Sequence, residues 1–306
     1  MPKGLKIYLS GLLMGAADVV PGVSGGTIAF ILGVYDRLIS ALSRVNKDSV
    51  KMLLKADFKA LWLYFDGTFL LLLGSGILTS IFILAGFVTY LLEVYPSYLW
   101  SFFFGLILAS AKLLINQIQG FNWRHFLIML LGAGVGMSLS LLVPTQFNTS
   151  LSMVFFSGMV AICAMILPGI SGSFLLLMMG MYGFILSAIK SFDLLVISIF
   201  SAGALIGLLS FSKILNYLLN RARFMTLAAL TGVMLGALVK VWPWKVVTEW
   251  MLLSDKKIPL EESLVLPWGV PNFHFLTSFA YPVLFISVGF LSVILISYIF
   301  LRNSDK

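Results

Sequence analysis

Two stretches of this chain carry the residue types best suited to holding an anion. Residues 21–35 read Pro-Gly-Val-Ser-Gly-Gly-Thr-Ile-Ala-Phe-Ile-Leu-Gly-Val-Tyr, and residues 168–182 read Pro-Gly-Ile-Ser-Gly-Ser-Phe-Leu-Leu-Leu-Met-Met-Gly-Met-Tyr. Pro, Gly, Ser, Gly, a later Gly and a Tyr recur in register at a separation of 147 residues. A new helix should start after each Pro-Gly. The first turn of a helix has four N–H groups without intrahelical partners, and the macrodipole adds roughly half a positive charge there. Glycines let an anion approach the backbone, while Ser and Thr hydroxyls donate or cap. The candidate anion-binding residues are therefore Gly22, Ser24, Gly25, Gly26 and Thr27 in the first copy, with Gly169, Ser171, Gly172 and Ser173 in the second. The competing reading is a packing motif, in which small residues let helices touch and Ser24 and Ser171 are ordinary caps.

Charged residues inside apolar stretches come next, because each is costly there unless partnered. Asp18 lies three residues before Pro21, and its counterpart in the second copy is Met165. It reads either as a protonatable residue coupling transport to a proton or sodium gradient, or as a carboxylate bracing the turn through backbone N–H groups. Arg37, opposite Phe184 in the second copy, reads as a screen for an anionic headgroup or as an orientation signal. Lys112 and Lys240 lie seven and eight residues beyond Gly105 and Gly232. They could pass an anion to the turns from either side, or snorkel at helix ends. Covalent chemistry finds little support. His125 and His274 have no ligand or triad spacing and read as interfacial residues. A Walker loop is missing, so ATP is not the direct energy source. The single cysteine, Cys163, supports neither a disulfide framework nor a multi-cysteine metal site. Neither an enzyme, a cofactor nor a metal is expected.

These residues sit in a membrane chain. Of its 306 residues, 60% are hydrophobic and 10% charged, and the mean hydropathy is +1.05. The net charge of +8 raises nucleic acid as a partner, but in such a chain it reports topology. The fold class expected is all-α, polytopic, with an inverted-topology repeat. The first repeat, 1–148, holds a hairpin at 5–43 and spans near 67–92, 97–117 and 125–143. The second, 149–306, holds a hairpin at 150–190 and spans near 194–219, 224–241 and 277–301. Each hairpin reads as two half-helices that re-enter, since about 15 apolar residues precede Pro21 and a full span needs ~20.

Residues 36–66, with Arg37, Arg44, Lys47, Lys51, Lys55 and Lys59, read as a cytoplasmic loop. Segment 242–276, with Trp242, Trp244, Trp250 and Trp268, reads as lying on the outer membrane surface. With both termini inside, fifteen basic residues fall on the cytoplasmic side and five outside. Three full spans per half is an odd number, so the halves face opposite ways. Tyr90-Leu91-Leu92 and Tyr217-Leu218-Leu219 extend the repeat at an offset of 127, as do Gly105 and Gly232. The second copy of the motif has no targeting role, so residues 1–43 are read as mature fold rather than a cleaved leader. Paired interruptions in corresponding halves point to a transporter's substrate site, and irregular backbone at membrane depth must be buried or line a cavity. Two helix N-termini facing one another near the midplane suit one compact anion such as phosphate.

Gly15-Ala16-Ala17-Asp18-Val19-Val20-Pro21-Gly22-Val23-Ser24-Gly25-Gly26-Thr27, together with Ile166-Leu167-Pro168-Gly169-Ile170-Ser171-Gly172-Ser173, resembles the bacterial polyprenyl-phosphate transporter family. The stretch at 232–244, with Gly232, Lys240 and Trp242-Pro243-Trp244, is similar to it as well. The resemblance implies return of undecaprenyl phosphate from the outer to the inner leaflet of the bacterial cytoplasmic membrane. It implies a lateral opening for the isoprenoid tail. Two alternatives stand beside it: a small-anion secondary transporter with a closed site, and a membrane-embedded lipid-phosphate phosphatase or phosphotransferase.

Overall fold

The computed structural model describes residues 2–19, 24–142, 149–253 and 256–302. The chain is mostly helical. Its first part runs through α1 (Lys3–Asp18), α2 (Gly25–Ile31), α3 (Tyr35–Ser43), α4 (Lys47–Leu54), α5 (Phe58–Tyr64), α6 (Gly67–Val94), α7 (Pro96–Asn116) and α8 (Trp123–Ser140). The second runs through α9 (Leu151–Ile166), α10 (Gly172–Met178), α11 (Tyr182–Lys190), α12 (Leu194–Arg221), α13 (Arg223–Ala237) and α14 (Tyr281–Arg302). Between α13 and α14 lie two antiparallel strands, β1 (Lys245–Leu253) and β2 (Lys256–Leu264), paired from Lys245–Leu264 to Leu253–Lys256.

Among the described residues, four helices are long and apolar enough to cross a membrane alone, and up to six spans result if each bent pair counts as one. The 28-residue α6 and α12 are each about 42 Å long at ~1.5 Å per residue, more than a ~30 Å hydrocarbon core needs. The helix expected over 224–241 is shorter, 15 residues ending at Ala237.

The motif region breaks twice, not once. Leu167, held extended by the following Pro168 (ψ 130°), ends α9, and α10 starts at Gly172. A second break follows each short helix: α2 and α3 meet at 117°, α10 and α11 at 108°. The later Gly of the motif makes that bend. Gly33 (φ 69°) and Gly180 (φ 64°) are left-handed residues one place beyond the C-caps Leu32 and Met179. Around them Val34 N–H bonds Ala29 O and Gly33 N–H bonds Phe30 O, as Met181 bonds Leu176 and Gly180 bonds Leu177. These are two Schellman motifs, and glycine is the residue they need.

The packing repeats as well. α1 lies on α6 as α9 lies on α12, and α8 on α13 as α14 on α7. Glycines make these approaches. A Cβ on Gly11 would meet Leu73 O, and one on Gly158 would meet Phe200 O; these glycines are 147 residues apart. Gly76 and Gly203, 127 apart, do the same against Tyr8 O and Phe155 O. Gly105 abuts Ile286 O while Gly232 abuts Met129 O.

One expectation needs correction, and two readings gain detail. The connection 36–66 is built from short helices, since Asn46 caps α4 through the Asp48 and Ser49 amides and Asp57 caps α5 through Ala60. Segment 242–276 contains a β-hairpin, so the fold is not purely α. Two of its tryptophans are tied to backbone carbonyls. Trp242 Nε1 donates to Val265 O at 2.9 Å, and the buried Trp244 donates to Ser278 O at 2.6 Å. His125 is buried against its own helix start. Its Nδ1 accepts the Asn122 N–H at 3.2 Å and completes a capping box on α8.

Candidate functional site

The break before Pro168 leaves the last carbonyls of α9 without intrahelical partners. Residues from the first copy of the motif take them up. Ser24 Oγ lies 3.2 Å from Met165 O and 3.0 Å from Leu167 O, and Tyr35 Oη donates to Ile166 O at 3.2 Å. In return, Thr27 Oγ1 accepts the Gly169 N–H at 3.0 Å. The two turns are therefore in contact and interlocked. Tyr35 is 1% exposed, and every residue of α2 is buried.

The N-terminus of α2 is already satisfied. Gly25 N–H donates to Asp18 Oδ1 at 2.6 Å, and Gly26 N–H donates to Ser24 Oγ at 3.1 Å. A Cβ on Gly25 would lie 2.5 Å from the Asp18 carboxylate, and one on Gly26 would lie 2.7 Å from Ile166 O. Both glycines thus face protein atoms. Pro21 and Gly22 lie outside the described residues.

The second turn differs. Met165 stands where the first copy has Asp18, and Ser171 caps α10 by position without a side-chain cap bond. Its hydroxyl instead lies 2.9 Å from Ser173 Oγ. Lys240 overlooks this turn, with Nζ 4.7 Å above the Phe174 ring. Together with Ser140 and Gly169 it lines a cleft of about 10 Å³, space for about one water. Behind it, Glu262 Oε2 lies 3.5 Å from Lys240 Nζ and 3.1 Å from Lys245 Nζ. A Cβ on Gly172 would run into Ala161 O, so this glycine also serves helix contact.

Arg37 and Lys112 are not at the turns. Arg37 forms a two-pronged ion pair with Asp66 (2.6 and 3.0 Å) and lies 4.3 Å over the Phe69 ring. That guanidinium holds the Asp66 carboxyl below its ordinary range. Lys112 Nζ lies 5.8 Å from the Phe290 ring.

Two cavities flank α2. On one side is an apolar groove of about 670 Å³ between α1, α2, α6, α7 and α14, lined by Leu13, Ala16, Ile28, Phe87, Phe102 and Val288 among others. Leu13, Phe87 and Val288 are exposed, so the groove opens sideways from the bundle. On the other side is a polar pocket of about 380 Å³, lined by Tyr35, Asp36, Ser110, Asn116, Gln117 and Arg223. Ile31 belongs to both walls. A seven-residue helix is the partition between an apolar and a polar chamber.

A family model described as undecaprenyl phosphate translocase-like matches residues 14–258, which take in both turns and most of both chambers. The chain belongs to that family. The polyprenyl-phosphate transporter of Vibrio cholerae serotype O1 is 46% identical over 275 residues, covering 90% of this chain and 88% of that protein. The polyprenyl-phosphate transporter of Staphylococcus aureus is 33% identical over 253 residues, covering 77% and 85%. Both relatives are named as transporters and not as enzymes. No solved structure matches the chain.

Sequence reasoning singled out the interlocked turns and Lys240. It passed over Tyr35, although the tyrosine recurs in the motif as Tyr182. Asp36, Asn116, Gln117 and Glu262 were not singled out, and Arg223 counted only toward topology. None of these five has a counterpart signal in the repeat.

Proposed function

We propose that this protein carries polyprenyl phosphate from the outer to the inner leaflet of the bacterial cytoplasmic membrane. The observation that carries the reading is the apolar groove ending on α2, beside the interlocked turns. An isoprenoid tail can lie in the groove and trail into lipid through its open side, with the phosphate held at the turns. A small-anion site would not need such a groove.

The two halves form an inverted repeat, each with one re-entrant hairpin. Support comes from the recurring helix contacts and from the shared offsets of the packing glycines. The charge bias puts both termini, α4 and α5 on the cytoplasmic side. The end of the groove near Tyr95, Tyr98 and Phe285 then belongs to the outer leaflet.

The phosphate is received at the second turn, by Ser171, Ser173, Gly172 and Gly169, with Lys240 above. Lys240 must swing away first, since the cleft there is only about 10 Å³. Ser24, Gly26 and Thr27 hold the first turn in place. Asp18 is the coupling residue. Its carboxylate occupies the N-terminus of α2, the place to which the phosphate passes from the second turn, so phosphate and an ionised Asp18 compete for the Gly25 N–H. A proton or sodium ion on Asp18 removes that competition.

The test is leaflet-to-leaflet movement of a fluorescent short-chain polyprenyl phosphate in proteoliposomes. Ala16→Trp, which fills the groove, should abolish movement in a variant that still melts cooperatively. Wild-type rates in a folded Ala16→Trp protein would overturn the reading.

A further inference from the structure

The polar pocket on the far side of α2 has no part in the reading above. It lies between α2, the start of α3, the end of α7 and the start of α13. Its volume of about 380 Å³ lies within the range of small-ligand sites, ~300–1,000 Å³. Its polar lining is Asp36 and Arg223 with the amides of Asn116 and Gln117 and the hydroxyls of Tyr35, Ser110 and Ser297, the last from α14. Two of these are committed. Tyr35 donates to Ile166 O, and Ser110 donates to Leu106 O at 2.6 Å.

The pocket holds one ion pair, Arg223 Nη2 to Asp36 Oδ2 at 2.7 Å, with side chains 45% and 47% exposed. A pair this exposed contributes little and is easily exchanged. It uses one of the five guanidinium N–H donors, and a phosphate can take two in parallel. Both Asn116 and Gln117 bring further donors to the same wall. The pocket is also one-sided. In the repeat, Asp36 corresponds to Gly183 and Arg223 to Pro96, so the equivalent positions of the other half hold no such pair.

We propose that this pocket is a second binding site for a terminal phosphate group, in which Arg223 releases Asp36 and takes the phosphate instead. It rests on the transport reading for its sidedness: Arg221, Arg223 and the lysines of α4 and α5 mark this end as cytoplasmic. The first site receives the headgroup from outside. This one receives it after α2 has moved, and Asp36 reclaims Arg223 as the phosphate leaves. The favoured ligand is a lipid phosphate whose chain passes Ile31; free phosphate shares the chemistry.

The experiment uses the full chain in detergent, titrated separately with geranyl phosphate and inorganic phosphate, and the same variants in the proteoliposome assay. Asp36→Asn should tighten geranyl phosphate binding several-fold and slow movement, because release is impaired. Arg223→Gln should weaken binding about tenfold or more, with an unchanged melting curve. Arg223-dependent binding of geranyl phosphate alone upholds the site and makes its ligand a lipid. Equal Arg223 dependence for inorganic phosphate upholds the site and makes its ligand free phosphate. Binding indifferent to Arg223 overturns the proposal. So does full rescue of movement by the exchanged pair Asp36→Arg with Arg223→Asp, which would make the pair a latch only. If the wild-type protein moves no polyprenyl phosphate while Arg223-dependent binding persists, the transport reading fails and the site stands.

Discussion

The Gly25 N–H donates to Asp18 Oδ1 at 2.6 Å, so a carboxylate of the protein is seated at the N-terminus of α2. Glycine is required at that contact, since a Cβ would lie 2.5 Å from Asp18 Oδ2. The same helix end is tied to the second half through Ser24 and Thr27. One short helix therefore touches an internal anion, the opposite turn and two chambers.

Asp18→Asn separates bracing from coupling. The amide retains an acceptor for Gly25 N–H but cannot ionise. If Asp18 couples transport to an ion, accumulation driven by an imposed pH or sodium gradient should vanish while lipid binding and melting temperature change little. Asp18→Ala removes the acceptor too, and loss of a hydrogen bond to a charged group should lower stability by ~1.5–3 kcal/mol. Undiminished gradient response in a stable Asn variant would remove Asp18 from coupling.

Ser24→Ala and Thr27→Val test the interlock. Ser24→Ala removes the hydroxyl that bonds the Met165 and Leu167 carbonyls, and Thr27→Val leaves the buried Gly169 N–H without its acceptor. A loss of about 1–3 kcal/mol is expected for each. The double variant should lose less than the sum, because both bonds hold the same turn. Denaturant or thermal unfolding in detergent reads this directly, and strict additivity would show that the two contacts act independently.

The long helices were legible because hydropathy reports them over many residues: the span read at 67–92 is Gly67–Val94, and that at 194–219 is Leu194–Arg221. The repeat was legible from Pro, Gly and Ser, which carry strong backbone preferences. What those residues bond to was not. Ser24 and Tyr35 meet backbone carbonyls, and a carbonyl leaves no mark in a sequence. Gly33 was visible as a recurring letter, but its left-handed geometry shows only in the bend it makes. Asp36 and Arg223 are 187 residues apart and unrepeated, so no spacing argument could join them. The β-hairpin had a signal in the β-branched run Val246-Val247-Thr248, which the tryptophans around it overshadowed.

Gly33→Ala and Gly180→Ala address the bends. Left-handed backbone costs a residue with a Cβ about 1–2 kcal/mol, so each variant should lose stability of that order. Gly33→Ala should also slow polyprenyl phosphate movement more than Gly180→Ala does, since α2 separates the two chambers. Equal effects on movement would argue that neither short helix moves alone.

Lys245 gives a pH signature. Burial first, offset by Glu262 and reinforced by Lys240, pushes its ammonium down from 10.5 to about 8. Its side chain is 7% exposed, between Glu262 Oε2 at 3.1 Å, Lys240 O at 2.5 Å and the Trp100 ring at 4.6 Å. Between pH 8 and 10.5 the folded protein has shed this proton while the unfolded chain still holds it. The unfolded state then binds more protons, so stability rises with pH across that window. Below pH 8 both states are charged and the full penalty of keeping the ammonium buried is present. The contribution is on the order of 3 kcal/mol at most. Lys245→Met carries no such proton, and exchanging a buried charge for an apolar chain of similar size is often neutral or stabilising. Melting temperatures of the two proteins, followed from pH 7 to pH 10.5 in one detergent, should therefore converge or cross as the wild type gains on the variant. Parallel curves would mean that Lys245 is solvated in the folded protein and that the Glu262 cluster is open to water.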